Sequence, residues 1–283
     1  MQIKEILLCV EPTTSSMAHV RVAAAMAASQ GARLTALFVQ PELDIPLAAR
    51  LQSQEVEQVV VQQERDAATK VHDKTASLVE PTGVAFQWIE VKGEAEEAMI
   101  KRSRAADVVV ALVAQPDGEP RAKAAPSDNR LIEPLIRYSG RPVLLVPAAA
   151  DSRSFGKRVL ITWDEGRESS RALHDALPVL AKADRVDLLT GVFQSAQGSR
   201  PPAGLCDVVC VHLAQHGIAA TPREVGLAPG ADLAEVILDQ SRKTRADLIV
   251  MGAFGGSRVR EVILGSITEN VINSSVIPVL VSH

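Results

Sequence analysis

The chain is poor in aromatic residues, which make up 3% of its 283 positions, and it has only three cysteines. Three thiols cannot form the disulfide framework on which small secreted domains depend. No stretch is apolar for long enough to cross a bilayer, because the longest uncharged apolar run, Val108 to Ala114, falls far short. The first residues, Met1-Gln2-Ile3-Lys4-Glu5, lack the basic start and extended apolar core of a secretory signal. Long basic clusters are missing too, and the formal net charge is −4, which argues against a nucleic-acid groove. Together these absences predict a cytoplasmic, soluble protein that binds neither nucleic acid nor membrane.

What the chain does contain is Ala, Val and Leu. Hydrophobic residues reach 47%, a mix that suits strands buried on both faces with helices packed over them. The length fits two domains of ordinary size, and the sequence repeats itself once. Ile6 to Glu11 matches Val159 to Asp164, Ala106-Asp107-Val108-Val109-Val110 matches Ala246-Asp247-Leu248-Ile249-Val250, and Arg141 to Val146 matches Val276 to Val281 with one residue of offset. A period this long signals duplicated domains rather than a solenoid. We therefore expect an N-terminal domain over 1–147 and a C-terminal domain over 157–283, joined by the small, polar stretch Ala148 to Gly156. Strands are expected at 4–10, 34–40, 84–91, 107–113 and 143–146, then at 157–163, 185–193, 218–225, 246–251 and 278–282. Helices are expected at 15–29, 48–79, 94–105 and 129–138, then at 168–181, 202–215, 231–243 and 266–274. Short apolar runs alternating with amphipathic helices indicate α/β architecture: two doubly wound, five-stranded parallel sheets covered on both sides. Cys206 and Cys210 lie one turn apart in an apolar stripe near His216. That pattern favours core packing over metal ligation or redox chemistry.

Chemistry concentrates near the C-terminus. Gly252-Ala253-Phe254-Gly255, then nine residues, then Gly265-Ser266-Ile267-Thr268 lie between a buried strand and a helix. Glycines let backbone amides approach an anion, and a helix start adds unpaired N–H groups and partial positive charge. A turn whose glycines serve only backbone geometry is the plainer alternative. Leu264-Gly265-Ser266 lacks the lysine of a P-loop. No water-activating base or in-line charge clamp for phosphoryl transfer is evident. His174, Asp175 and Glu165 read as helix-face residues.

This spacing, followed by Ile277-Pro278-Val279-Leu280-Val281, resembles the ATP-binding signature of universal stress proteins. The strand Arg158 to Trp163 ending in Asp164, and the strand Asp247 to Gly252 leading into the glycine loop, fall in that family's order. The resemblance covers 157–283. It implies the adenine nucleotide alpha-hydrolase-like fold with strand order 3-2-1-4-5, which would bring the ends of strands one and four to one crevice. It further implies ATP as ligand, accompanied by Mg²⁺ on the phosphates. Asp164 would bind the adenosine part and the backbone of Val192 the adenine. Gly252 would admit the sugar, while Gly255, Gly265 and Ser266 would surround the phosphates with Thr268 nearby. Met251 and Ile267 flank these glycines and complete the set, and Arg258 supplies the loop's positive charge. ATP would be held, with little hydrolysis, in a stress-response or signalling module. A scaffold that binds no nucleotide remains the alternative, and an ATP-consuming enzyme lacks candidate residues.

The first half departs wherever that motif matters. Leu112 stands for Gly252, Gln115 for Gly255, Asn129 for Gly265, Arg130 for Ser266, and Glu11-Pro12 for Asp164-Glu165. It is expected to bind no ATP and to serve structurally. The resemblance implies pairing through the fifth strands, so that Val143 to Val146 would meet Val279 to Val281 and cover two sheet edges. The segment Leu47 to Val79 would cover the sheet or extend to an oligomer contact, and a homodimer stays open.

Overall fold

The computed structural model describes residues 2–10, 16–40, 54–113, 130–193, 206–228, 230–253 and 266–283. In the first half these form β1 (Glu5–Val10), α1 (Ala18–Gln30), β2 (Arg33–Gln40), α2 (Gln54–Val79), β3 (Phe86–Lys92), α3 (Ala95–Ser103), β4 (Val108–Val113), α4 (Ile132–Tyr138) and β5 (Val143–Pro147). The second half repeats the series as β6 (Arg158–Thr162), α5 (Arg167–Leu180), β7 (Arg185–Phe193), α6 (Asp207–Gln215), β8 (Ala220–Leu227), α7 (Leu233–Thr244), β9 (Leu248–Gly252), α8 (Ser266–Ser274) and β10 (Val279–Ser282).

All strands join one ten-stranded sheet ordered β3-β2-β1-β4-β5-β10-β9-β6-β7-β8. Each half runs 3-2-1-4-5, as expected. Pairing is parallel within each half, and the two fifth strands meet antiparallel, with Val279 opposite Leu145 and Val281 opposite Val143. Two edges that would otherwise present unpaired amides are thereby closed. The free edges are β3 and β8. Pro222 is tolerated inside β8 because an edge strand needs donors on one side only.

The central strands are buried end to end, as continuous apolar runs such as Val108-Val109-Val110 require. One face of the sheet is covered by α1, α2, α5 and α6, the other by α3, α4, α7 and α8. Each face carries a single apolar core that crosses from one half to the other: Leu144 and Leu280 share the first with Val20 and Ala176, and Leu145 and Val279 share the second with Ile136 and Val271.

The repeated Ala-Asp pairs have a structural purpose. Asp107 accepts hydrogen bonds from the backbone N–H groups of Lys4 and Glu5 at 2.7 and 3.0 Å. Asp247 accepts from those of Lys157 and Arg158 at 3.2 and 3.1 Å. In each half a carboxylate at the foot of the fourth strand thus satisfies amides entering the first strand, which have no ladder partner there. Burial pushes the Asp247 carboxyl up to about 6, against the pull of the Arg158, Lys157 and Gly156 amides.

The halves also cap each other's helices. Gln30, at the end of α1, donates through Nε2 to the Pro178 carbonyl of α5 at 3.1 Å. Lys182, just beyond α5, donates through Nζ to the Ser29 carbonyl of α1. Carbonyls in the last turn of a helix lack intrahelical donors, and here each helix supplies the donor for the other.

Candidate functional site

A crevice opens where β6 and β9 lie side by side and their connections leave toward opposite faces of the sheet. This is the topological switch point at which open α/β sheets bind ligands. Its floor is the carboxyl ends of β6, β7 and β9, and its walls are the start of α5, the end of β8, α7 and the start of α8. The cavity bounded by described residues measures about 320 Å³.

Three local devices shape it. Beyond β6 the chain turns through Glu165, held in the left-handed region at φ 61°, and Gly166 precedes the first residue of α5. Asp164 Oδ1 accepts from the Gly166 N–H at 2.9 Å. A Cβ on Gly166 would lie 2.8 Å from that oxygen, so the folded-back carboxylate requires glycine here. The bond fixes the Asp164 side chain at the rim and leaves its second oxygen without a protein partner among the described residues.

Gly252 is the second device. A Cβ there would meet the Glu168 carbonyl carbon and the Ser169 nitrogen at 2.6 Å. That space belongs to the first turn of α5, so the glycine lets helix backbone pack against the end of β9. This differs from the expectation that its bare α-carbon makes room for a sugar. The third device is an apolar slot of Leu189, Val225, Leu227, Leu233, Val236 and Ile237. Gly191 keeps the slot open: a Cβ on it would come within 2.5 Å of Leu227 Cδ1.

Of the residues anticipated from sequence, Asp164, Met251, Gly252, Ile267 and Thr268 all line this crevice. Met251 and Thr268 are buried. Ser266 is the first residue of α8 and is exposed, just outside the lining. Val192 continues β7 opposite Gly226, directly after the lining residues Leu189 to Gly191. Gly255, Arg258 and Gly265 lie outside the described residues.

The slot itself was not anticipated. Its residues come from three separate elements and look like any strand or helix core. The one usable signal was Gly191, since an isolated glycine within a strand marks a bulge or a close approach.

The described lining carries Asp164, Glu165 and Glu168, and no lysine, arginine or histidine. Glu168 pairs with Arg167 at 3.2 Å. Such a surface repels phosphate and suits neutral, hydroxyl-bearing groups. The anion-favouring feature is the start of α8, whose first-turn amides face away from the helix body. The crevice thus combines an apolar slot, a positioned carboxylate and a helix N-terminus.

The protein is therefore a tandem of two doubly wound α/β units with a crevice at the second switch point. The model of the universal stress protein family matches residues 218–283. That match begins just before β8, so it includes Gly252 and Thr268 but not Asp164. A universal stress protein from Archaeoglobus fulgidus DSM 4304 superposes with a TM-score of 0.75 at 20% identity, covering 100% of this chain and 99% of that one. A functionally unknown protein from Pseudomonas aeruginosa PAO1 superposes with a TM-score of 0.63 at 15% identity, covering 99% and 92%. At these identities the likeness is one of fold, and it runs through both halves. No curated protein matches the sequence. Among the described residues, no helix is long and apolar enough to cross a membrane.

Proposed function

We propose that the second-half crevice binds an adenine nucleotide, ATP, and that the chain acts as a nucleotide-binding stress-response or signalling module with little hydrolysis. The observation that carries this reading is the Asp164 carboxylate. It is held by Gly166, with one oxygen open, between an apolar slot and the start of α8. A flat heterocycle fits the slot, where Leu189, Val225 and Ile237 would exclude water from its faces. Asp164 would accept hydrogen bonds from sugar hydroxyls, which suit a carboxylate as phosphates do not.

The phosphates would lie toward Ser266 and Thr268, where α8 begins, with Gly255, Arg258 and Gly265 in the adjoining loop. One helix N-terminus contributes about 0.3–1 kcal/mol, or near 2 when partly buried, whereas micromolar affinity needs roughly 8 kcal/mol. The three parts must act together. Mg²⁺ would ride on the phosphates; no protein ligand for it is assigned. The first half serves as a structural partner through β5.

Isothermal titration with ATP and Mg²⁺, together with chromatography of the supernatant from heat-denatured protein, tests this. Near one equivalent of adenine nucleotide is expected. Its absence in both measurements leaves the chain as a scaffold without nucleotide. Steady phosphate release that depends on a second substrate would make it an enzyme instead.

A further inference from the structure

Three histidines cluster between α5 and α6 with tilted and edge-on rings, outside the crevice lining. His212 of α6 sits between His174 of α5 and His216, which closes α6, with ring centroids 5.0 and 4.8 Å apart. His174 Nδ1 donates to the Ser170 carbonyl at 2.8 Å. His212 Nε2 is buried without a hydrogen-bond partner. None of the three rings has a carboxylate partner among the described residues, whereas His72 has Asp73 at 3.0 Å. The charged and titratable groups around the cluster are few. Arg171 and Asp175 of α5 pair with each other at 3.1 Å, Asp207 and Cys210 lie in α6, and Glu224 of β8 acts on Cys206. No three His, Cys, Asp or Glu residues among those described are arranged to hold a metal ion, so ligation does not account for the cluster.

The helix they hold is weakly supported. α6 has 9 residues, while α2, which makes the same crossover in the first half, has 26. A helix that short depends on tertiary contacts. It buries Val209 and Leu213 but leaves Val208 77% and Val211 60% exposed.

We propose that the histidine cluster is an acid-releasable clasp: neutral imidazoles dock α6 against α5, and protonation of neighbouring rings drives α6 away. Two imidazolium charges about 5 Å apart repel, and no carboxylate among the described residues compensates them. The proton affinity of His212 moves the same way, lowered by its burial and then by His174 and His216. The docked state therefore binds fewer protons than the released one. Docking is complete above an ordinary histidine pKa of about 6.5 and is lost as pH falls below it. Release would also reach the crevice, because Cys206, immediately before α6, sits with Sγ 3.0 Å from Thr190 Oγ1 on the cavity wall. That last consequence rests on the nucleotide reading; the clasp does not.

Hydrogen exchange on the full chain without nucleotide, at pH 7.5 and 5.5 and corrected for intrinsic rates, tests the clasp. Amides of 207–217 should lose protection about tenfold at the lower pH, with α2 unchanged. His212→Phe keeps an aromatic ring without a titratable group and should hold protection equal at both values. If that variant fails to fold, the exposed changes His174→Gln and His216→Gln should each reduce the acid effect. Equal protection of α6 at both pH values in the natural protein overturns the proposal, as does undiminished acid loosening in the variants.

Discussion

The two switch points have the same topology and different contents. Register makes the comparison residue by residue. Ile6 pairs with Val108 as Val159 pairs with Leu248, which sets Leu112 against Gly252, and the first-to-second strand pairing likewise sets Val39 against Gly191. In the second half both glycines are packed against neighbours that leave no room for a side chain. In the first half the helix after strand one starts at Ala18, eight residues beyond Val10, whereas α5 starts five residues beyond Thr162. α4 likewise begins at Ile132, two residues later than the position matching Ser266. Sheet and core survive without the glycines. Gly252 secures the close approach of a helix start to a strand end, Gly191 makes room for Leu227, and the two together shape the crevice.

The most severe way to break this comparison is to give the second half the first half's residue. Gly252→Leu should force α5 away from β9, abolish ATP binding in titration, and cost about 1–3 kcal/mol in urea unfolding through overpacking. Unchanged affinity would separate the glycine from the site. The reverse exchange, Leu112→Gly, should create no nucleotide affinity, because neither the Asp164 turn nor the early helix start is present.

pH sharpens the contrast next, because burial shifts a histidine in the first half and a carboxyl in the second, with opposite effects on stability. His19 in α1 is fully buried, and burial lowers its pKa to about 4. The unfolded chain therefore binds the extra proton between about 6.5 and 4, and stability falls as pH drops through that window, by up to about 3 kcal/mol. Asp247 is raised to about 6, so its contribution runs the other way, with stability gained as pH falls from about 6 toward 3.8. Urea unfolding at pH 7.5, 6.5, 5.5 and 4.5 should show His19→Leu reducing acid sensitivity, and Asp247→Asn increasing it. The same slope in all three proteins would sink this assignment.

A smaller effect separates binding from folding. Asp164 is exposed and, among the described residues, bonds only to Gly166, so Asp164→Ala should weaken ATP about 10–100-fold, the worth of one or two charge-assisted hydrogen bonds, with little change in melting temperature. Equal ATP affinity in the variant would remove the carboxylate from the site. The smallest effect concerns what joins the halves. Gln30→Ala and Lys182→Ala should each cost about 0.5–1.5 kcal/mol in urea unfolding. Variants as stable as the natural protein would show that the shared core, not the exchanged caps, holds the two helices together.

Much of the fold was legible because its signals are local. β7 falls at 185–193 and α8 at 266–274, as the periodicity of the sequence indicates. Elsewhere the bounds moved by a few residues, as for α3, which spans Ala95–Ser103 rather than 94–105, and the expected start of α6 at 202 lies outside the described residues. Asp164 and Gly252 were legible as candidates because a motif names them, and both line the crevice. The cause assigned to Gly252 was not, since nothing in the sequence says that the backbone of Glu168 and Ser169 occupies its open side. The apolar slot was illegible for the same reason. Leu189, Val225 and Ile237 are ordinary core residues until the sheet order brings them to one side of one crevice.

The sequence by itself determined the duplication and the alternation of strand and helix, because hydrophobic periodicity and repeated segments act over short range. Only the tertiary structure decided which buried residues became cavity wall, which glycines are locked by a neighbouring helix, and which polar ends cap a helix in the other half. Those outcomes depend on distances between elements far apart in the chain, and such distances are set by how the whole sheet packs.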